Sequence, residues 1–290
     1  MSSDSEALGE ARPLIYVPPA KTLQLINSRT SRYHFGMSYS ENYEDPYGHN
    51  LNRMKNMFNF AWQSFDKTIR PNAVSVELIQ LAREELSKKI AAHYQARSFK
   101  GVTESDSAMG YLGVHIRRGD RLPAWHVYGQ MYIPLTDYVD AVVESWTRLG
   151  LEVSPDDKLV QPFVYIASDS PLWRRTSKHS ELQALASPGE YVQNDFMKLD
   201  PSNRLQATRG MVVDFALLSG AWSNDGDLIP DGTVCTVSSV VCKLAAVGLG
   251  WKRAFGLVDE MGYIEKETRR WIDVDLKGRV VPVWEAFQAY

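Results

Sequence analysis

Between Gly113 and Asp120 the chain reads Gly-Val-His-Ile-Arg-Arg-Gly-Asp, an apolar run that ends in two arginines, a glycine and an aspartate. Guanidinium is planar and permanently charged, and its fork of N–H donors fits two phosphate oxygens at once, which lysine cannot do. Arg117 and Arg118 therefore nominate a phosphorylated ligand. The same pair reads equally as arginines held by nearby carboxylates, and Arg118-Gly119-Asp120 also spells an integrin-type adhesion tripeptide. Those eight residues alone leave all three readings open.

Further polar residues stand at corresponding points along the chain. The apolar run Phe163-Val-Tyr-Ile-Ala167 ends in Ser168-Asp169-Ser170-Pro171, where Ser170 can cap a helix and Pro171 can take its first position. The run 233–237 leads into Ser238-Ser239, which open a helix whose free N–H groups and partial positive charge suit a phosphate; plain capping is their other role. Asp214 interrupts an apolar helix face between Val213 and Phe215, and a buried carboxylate there needs a partner. The N1–H and N2–H₂ of a guanine would supply one, as would a backbone amide or an arginine.

What must position these groups is a set of alternating elements. Strands are expected near residues 111, 163, 190, 234 and 254, the last over 253–258, with helices between them. One helix is expected over 51–65. A second follows Pro71, with Leu78, Ala82, Leu86, Ile90 and Tyr94 on its apolar face. A third carries Leu135, Val139, Val142, Trp146 and Leu149 and stops at Gly150. A fourth, over 204–219, turns Met211, Val212, Phe215 and Leu218 inward. The fold class expected is α/β, a doubly wound, parallel, Rossmann-like sheet. In such sheets ligands gather at the carboxyl ends of the strands, which brings His115, Arg117, Asp120, Asp169 and Ser238-Ser239 to one edge. The chain divides into a tail (1–12), an irregular N-terminal region (13–72) and an α/β domain (73–290).

Composition bounds the function. The chain is 44% apolar and 23% charged, as in a folded globular protein, and its net charge of −3 with no basic block argues against a nucleic-acid or anionic-membrane surface. The polar stretch 1–12 does not read as a signal peptide, and no run reaches the roughly 18 apolar residues of a membrane span, so a soluble chain is expected. No Asn-x-Ser/Thr sequon occurs, and two cysteines, Cys235 and Cys242, are too few for a disulfide scaffold or a structural zinc site. No Walker loop or Gly-x-Gly-x-x-Gly follows a strand, which disfavours a P-loop hydrolase or a dinucleotide oxidoreductase. Asp225-Gly226-Asp227 matches the Asp-x-Asp that holds a metal in many sugar-nucleotide transferases, yet it sits among turn residues, and turn chemistry accounts for it.

Taken together, three motifs resemble the signature of the α1,6- and protein O-fucosyltransferase superfamily, which uses GDP-fucose on a GT-B-like fold. They are His115-Ile-Arg-Arg-Gly-Asp120, Ile166-Ala-Ser-Asp-Ser-Pro171, and Asp214 to Ser219 followed by Val234-Cys-Thr-Val-Ser-Ser-Val-Val-Cys-Lys243. The resemblance covers residues 74–260 and is closest to the α1,6 branch. It implies that Arg117 grips the β-phosphate with Arg118 in support, that His115 and Asp214 hold the guanine, and that Ser238 and Ser239 cradle the diphosphate. Asp120 and Asp169 would orient the arginines or their loop. The implied reaction is inverting and needs no metal or other cofactor: fucose passes from GDP-fucose to a glycan or protein hydroxyl while Arg117 stabilises departing GDP. The resemblance also implies a Cys235–Cys242 disulfide and, with it, the oxidising lumen of the secretory pathway. The loop 121–136 contains no carboxylate that could act as base, and His126 is its only side chain titrating near neutrality. A nucleotide-sugar-binding module without turnover is therefore the second expectation.

Overall fold

The computed structural model describes residues 50–95, 110–117, 132–150, 162–168, 183–186, 193–236, 239–275 and 278–279. At its centre lies β1 (Leu112–Ile116), all five residues of which are buried, as expected of a strand covered on both faces. It pairs in parallel with β2 (Phe163–Ser168) on one side and β4 (Gly232–Thr236) on the other. Strand β3 (Gln183–Ala186) joins β2 and β5 (Trp271–Asp275) joins β4, both in parallel. The short β6 (Gly278–Arg279) turns back antiparallel on β5. The sheet order is β3-β2-β1-β4-β5-β6, so its parallel part runs 3-2-1-4-5, as in Rossmann-like doubly wound sheets.

Successive side chains leave opposite faces of a strand, and here each face has its own helices. On one face Leu112, Val114, Ile116, Val164, Ile166 and Val234 pack under α3 (Leu135–Arg148), which contributes Tyr138, Val142 and Trp146. On the other, Tyr111, Phe163 and Tyr165 pack under α2 (Ala73–Gln95) and α5 (Pro201–Ser219). Cys235 and Trp271 on that face pack under α1 (Lys55–Lys67), α6 (Val240–Leu249) and α7 (Trp251–Phe255). A short α4 (Gln193–Lys198) precedes α5. Each fully buried aliphatic side chain in these layers contributes about 1.5–3 kcal/mol. Residues 50–54 form a 3-10 turn leading into α1, whose Phe58 meets Trp251 and Phe255 edge to face. Residues 1–49 lie outside the described residues.

Helix α5 lies close on the sheet because β1 offers a glycine beneath it. A Cβ on Gly113 would stand 3.0 Å from the Leu218 carbonyl oxygen and 3.1 Å from its Cα. The last turn of α5 leaves carbonyls without helical partners, and the sheet supplies donors to them. The Tyr111 hydroxyl donates to the Leu217 carbonyl at 2.7 Å, and the Thr233 hydroxyl donates to that of Leu218 at 2.6 Å. At its start, Asp200 accepts from the amides of Ser202 and Asn203, with Pro201 in the first helical position, so α5 begins three residues earlier than its apolar pattern indicates.

Several expectations are corrected. Residues 253–258 do not form a strand: Trp251–Phe255 is helical between two positive-φ glycines, Gly250 and Gly256, and Phe255 is buried against Phe58 and Trp271. The fifth parallel strand is 271–275 instead. The strand expected near 190 occurs at 183–186, and position 190 itself lies outside the described residues. On α2 the buried face is Ser75, Ile79, Arg83, Leu86 and Ile90, while Leu78 is 37% exposed. The cause is Arg83, drawn inward by the Ala221 carbonyl at 2.9 Å, the Trp222 carbonyl at 3.3 Å and Asp227 at 3.1 Å. On α5, Met211 points outward and Ala207, Ala216 and Leu217 take the inner positions beside Leu218.

Candidate functional site

The connection leaving β1 leads to α3 on one face of the sheet, and the connection leaving its neighbour β4 leads to α6 on the other. Adjacent strands whose chains depart to opposite faces open a crevice at their carboxyl ends, and that is where open α/β sheets bind ligands. Arg117 is the first residue beyond β1 at this crevice, and Ser239 is the N-cap residue of α6 beyond β4.

His115 lies two residues before Arg117, so its side chain leaves the same face of β1, and its partners across the sheet are Ala167 on β2 and Cys235 on β4. It is 8% exposed, and its buried Nδ1 has no hydrogen-bond partner among the described residues. Burial, and secondly the nearby Arg117 guanidinium, push its pKa down to about 3, so the imidazole is neutral throughout the physiological range. A neutral ring suits hydrogen bonding to a base or sugar rather than charge pairing with a phosphate.

Ser239 is 1% exposed, and its Oγ is likewise buried with no partner among the described residues. It makes no side-chain cap to α6, although its own amide donates to the Thr236 carbonyl at 3.2 Å and its carbonyl accepts from Lys243 at 3.2 Å. Buried hydroxyls are nearly always satisfied. At a helix N-terminus, free amides also favour an anion. Cys235 and Cys242 are joined by a disulfide with their Cα atoms 5.4 Å apart, which closes the turn carrying Thr236 and Ser239.

Thr236 is a site residue that the sequence motifs do not single out. The backbone pairing of β1 with β4 ends at His115 and Cys235. One step further, the Arg117 amide donates to the Thr236 Oγ1 at 2.9 Å, and that hydroxyl donates to the His115 carbonyl at 3.1 Å. Tyr138, on the first turn of α3, stands 2.6 Å away through its hydroxyl. A threonine hydroxyl has one proton and two lone pairs. With its proton on His115, Thr236 accepts from both Arg117 and Tyr138, and its hydrogen-bonding capacity is filled.

Asp214 lies on α5, on the same face of the sheet as His115, and accepts a hydrogen bond at 2.6 Å from the hydroxyl of Tyr165 on β2. A tyrosine phenol thus serves the carboxylate that interrupts the apolar helix face. Asp227 of the Asp225-Gly226-Asp227 segment accepts from Arg83 at 3.1 Å and from the Asn224 amide at 2.8 Å, the turn role. Among the described residues no group of three or more His, Cys, Asp or Glu is arranged to hold a metal ion. The structure therefore places His115 and Arg117 at the carboxyl end of β1, Ser239 beyond that of β4, and Asp214 on α5 against Tyr165 of β2. Arg118, Asp120, His126, Asp169 and Ser238 lie outside the described residues. Among the described residues no helix is long and apolar enough to cross a membrane.

Compared with models of known protein families and with curated proteins, the chain matches none.

Proposed function

We propose that this protein binds a nucleoside-diphosphate sugar at the β1–β4 crevice, and that the sugar donor is GDP-fucose. The observation that carries the reading is Arg117 at the carboxyl end of β1 together with two buried polar atoms, His115 Nδ1 and Ser239 Oγ, that have no partner among the described residues. Such groups are costly unless a ligand completes them. The likeness of the three sequence motifs to fucosyltransferases supplies the identity of the donor, the GT-B-like setting of this sheet and the class of reaction. In that reaction the bond from the fucose anomeric carbon to the β-phosphate oxygen breaks. A bond to an acceptor hydroxyl, on a glycan or a glycoprotein, forms from the opposite side. The acceptor proton passes to a base or to solvent, and GDP leaves with the charge on its terminal phosphate met by Arg117 and the α6 N-terminus. The Cys235–Cys242 disulfide supports a setting in an oxidising lumen.

One observation favours binding without turnover: the loop 121–136 holds no carboxylate to accept the acceptor's proton. Calorimetric titration with GDP and GDP-fucose tests both readings. Wild type is expected to bind both, and Arg117→Ala to weaken binding by roughly ten- to a hundredfold, the worth of a charge-assisted contact. No binding of either nucleotide would sink the proposal. Binding with no GDP release on any glycan or peptide acceptor would leave the binding module.

A further inference from the structure

We infer that Thr236 and Tyr138 are positioning residues for Arg117, coupling the first turn of α3 to the arginine of the donor site; the inference rests on the donor reading given above. Its basis is where the backbone ladder stops. Strands β1 and β4 are hydrogen-bonded up to His115 and Cys235, and beyond that pair they must separate for a ligand to enter between them. Arg117 is the first residue past that point. A residue leaving a sheet at its carboxyl end normally loses the ladder's restraint, and its side chain then samples many directions.

Here the restraint is carried one step further by a side chain. The Thr236 hydroxyl takes the Arg117 amide at 2.9 Å while giving its proton to the His115 carbonyl at 3.1 Å, so it bridges the two peptide units on either side of Ile116. Thr236 and Tyr138 are 6% and 2% exposed, so water does not compete for these bonds. Because the threonine proton is committed to His115, the 2.6 Å contact requires Tyr138 to be the donor. Removing the phenol hydroxyl would leave a Thr236 lone pair buried and unmet. The three groups belong to the ends of β1 and β4 and to the start of α3, the elements that meet at the crevice. None of the three bonds touches the ligand, and what they set is the backbone from which Arg117 reaches it.

The test uses the full chain, with GDP as probe and the Arg117 amide as a reporter that needs no ligand. Native-state hydrogen exchange should show that amide protected in wild type and in Thr236→Ser. It should exchange about tenfold faster in Thr236→Val, with Tyr138→Phe between them, as loss of one or two buried hydrogen bonds requires. GDP affinity should fall about tenfold in Thr236→Val, about threefold in Tyr138→Phe, and return to within about twofold of wild type in Thr236→Ser. In an Arg117→Lys background the Thr236→Val change should cost much less, since the residue it positions is gone. Equal losses in both backgrounds, or an Arg117 amide that exchanges at the wild-type rate in both Thr236→Val and Tyr138→Phe, would overturn the inference. Should Thr236→Val not fold, Tyr138→Phe carries both measurements. If wild type binds no GDP, the donor reading fails, and the amide exchange alone decides the positioning role.

Discussion

The Tyr165 hydroxyl donates to Asp214 Oδ1 at 2.6 Å, joining the middle of β2 to α5 through a carboxylate on the inner face of the helix. Hydrogen bonds to charged groups are among the stronger ones, and Tyr165→Phe should lower stability by about 1.5 kcal/mol, read by denaturant unfolding. The same carboxylate is proposed to recognise guanine, which offers it N1–H and an exocyclic amino group. Wild type should therefore prefer GDP to IDP, which lacks that amino group, by about tenfold. Asp214→Asn should abolish the preference. Equal weakening of both nucleotides by Asp214→Asn would confine Asp214 to a structural role with Tyr165.

His115 links stability to pH. A solvated imidazole titrates at its ordinary value of 6.5, whereas in the folded protein burial and the Arg117 charge bring it to about 3. Between those values the unfolded chain binds a proton that the folded chain does not. The stability contributed by the neutral ring is thus complete above pH 6.5 and is lost as pH falls toward 3. Thermal melts of His115→Gln should decline less steeply across that window than those of wild type. Parallel profiles would show that the ring is not held neutral.

The Cys235–Cys242 disulfide closes a short loop, with a sequence separation of 7. In the chain-entropy picture a loop of this size is worth about 2.5 kcal/mol. The Cys235→Ala/Cys242→Ala double variant should lose roughly that much and should bind GDP more weakly, because the closed turn carries Thr236 and Ser239. Thiol titration of wild type made under oxidising conditions should find no free thiol, and two reactive thiols would contradict the bond.

Gly113 tests the seat of α5 on β1. The Cβ of Gly113→Ala would meet backbone atoms of Leu218 at 3.0 and 3.1 Å, and backbone cannot swing aside as a flexible side chain can. A loss of about 1–3 kcal/mol is expected. A wild-type unfolding midpoint would show that α5 can lift from the sheet without cost.

Much of the frame was legible in the residues alone because it rests on local signals. The runs that became β1, β2 and β4 are apolar on both faces, and helix α3 announces itself by periodic Val139, Val142 and Trp146 with Gly150 at its end. Where local signals are ambiguous, the structure departs from what they suggest. The stretch beginning at Arg253 carries a strand-like composition, but Gly250 and Gly256 delimit a single helical turn whose Phe255 fills the core beside Phe58. Leu78 fits the apolar stripe of α2 as well as Ile79 does, and only the three acceptors around Arg83 decide which flank turns inward.

The site divides in the same way. The residue types and their order set the chemistry on offer: a guanidinium at a strand end, a neutral-capable imidazole two residues earlier, and serines opening a helix. Their order along the chain, in alternation with helices, was enough to place them at the carboxyl edge of a parallel sheet. That β1 and β4 are neighbours and that their chains leave to opposite faces follows from the packed fold, because strand order depends on long-range pairing. That adjacency made Thr236 the acceptor for the Arg117 amide, 119 positions away in the chain, and gave it Tyr138, 98 positions away, as support. It also left His115 Nδ1 and Ser239 Oγ, near the carboxyl ends of β1 and β4, buried without partners among the described residues. Hydrogen-bond satisfaction is a property of the packed whole, since a donor acquires or lacks a partner only when distant segments come together.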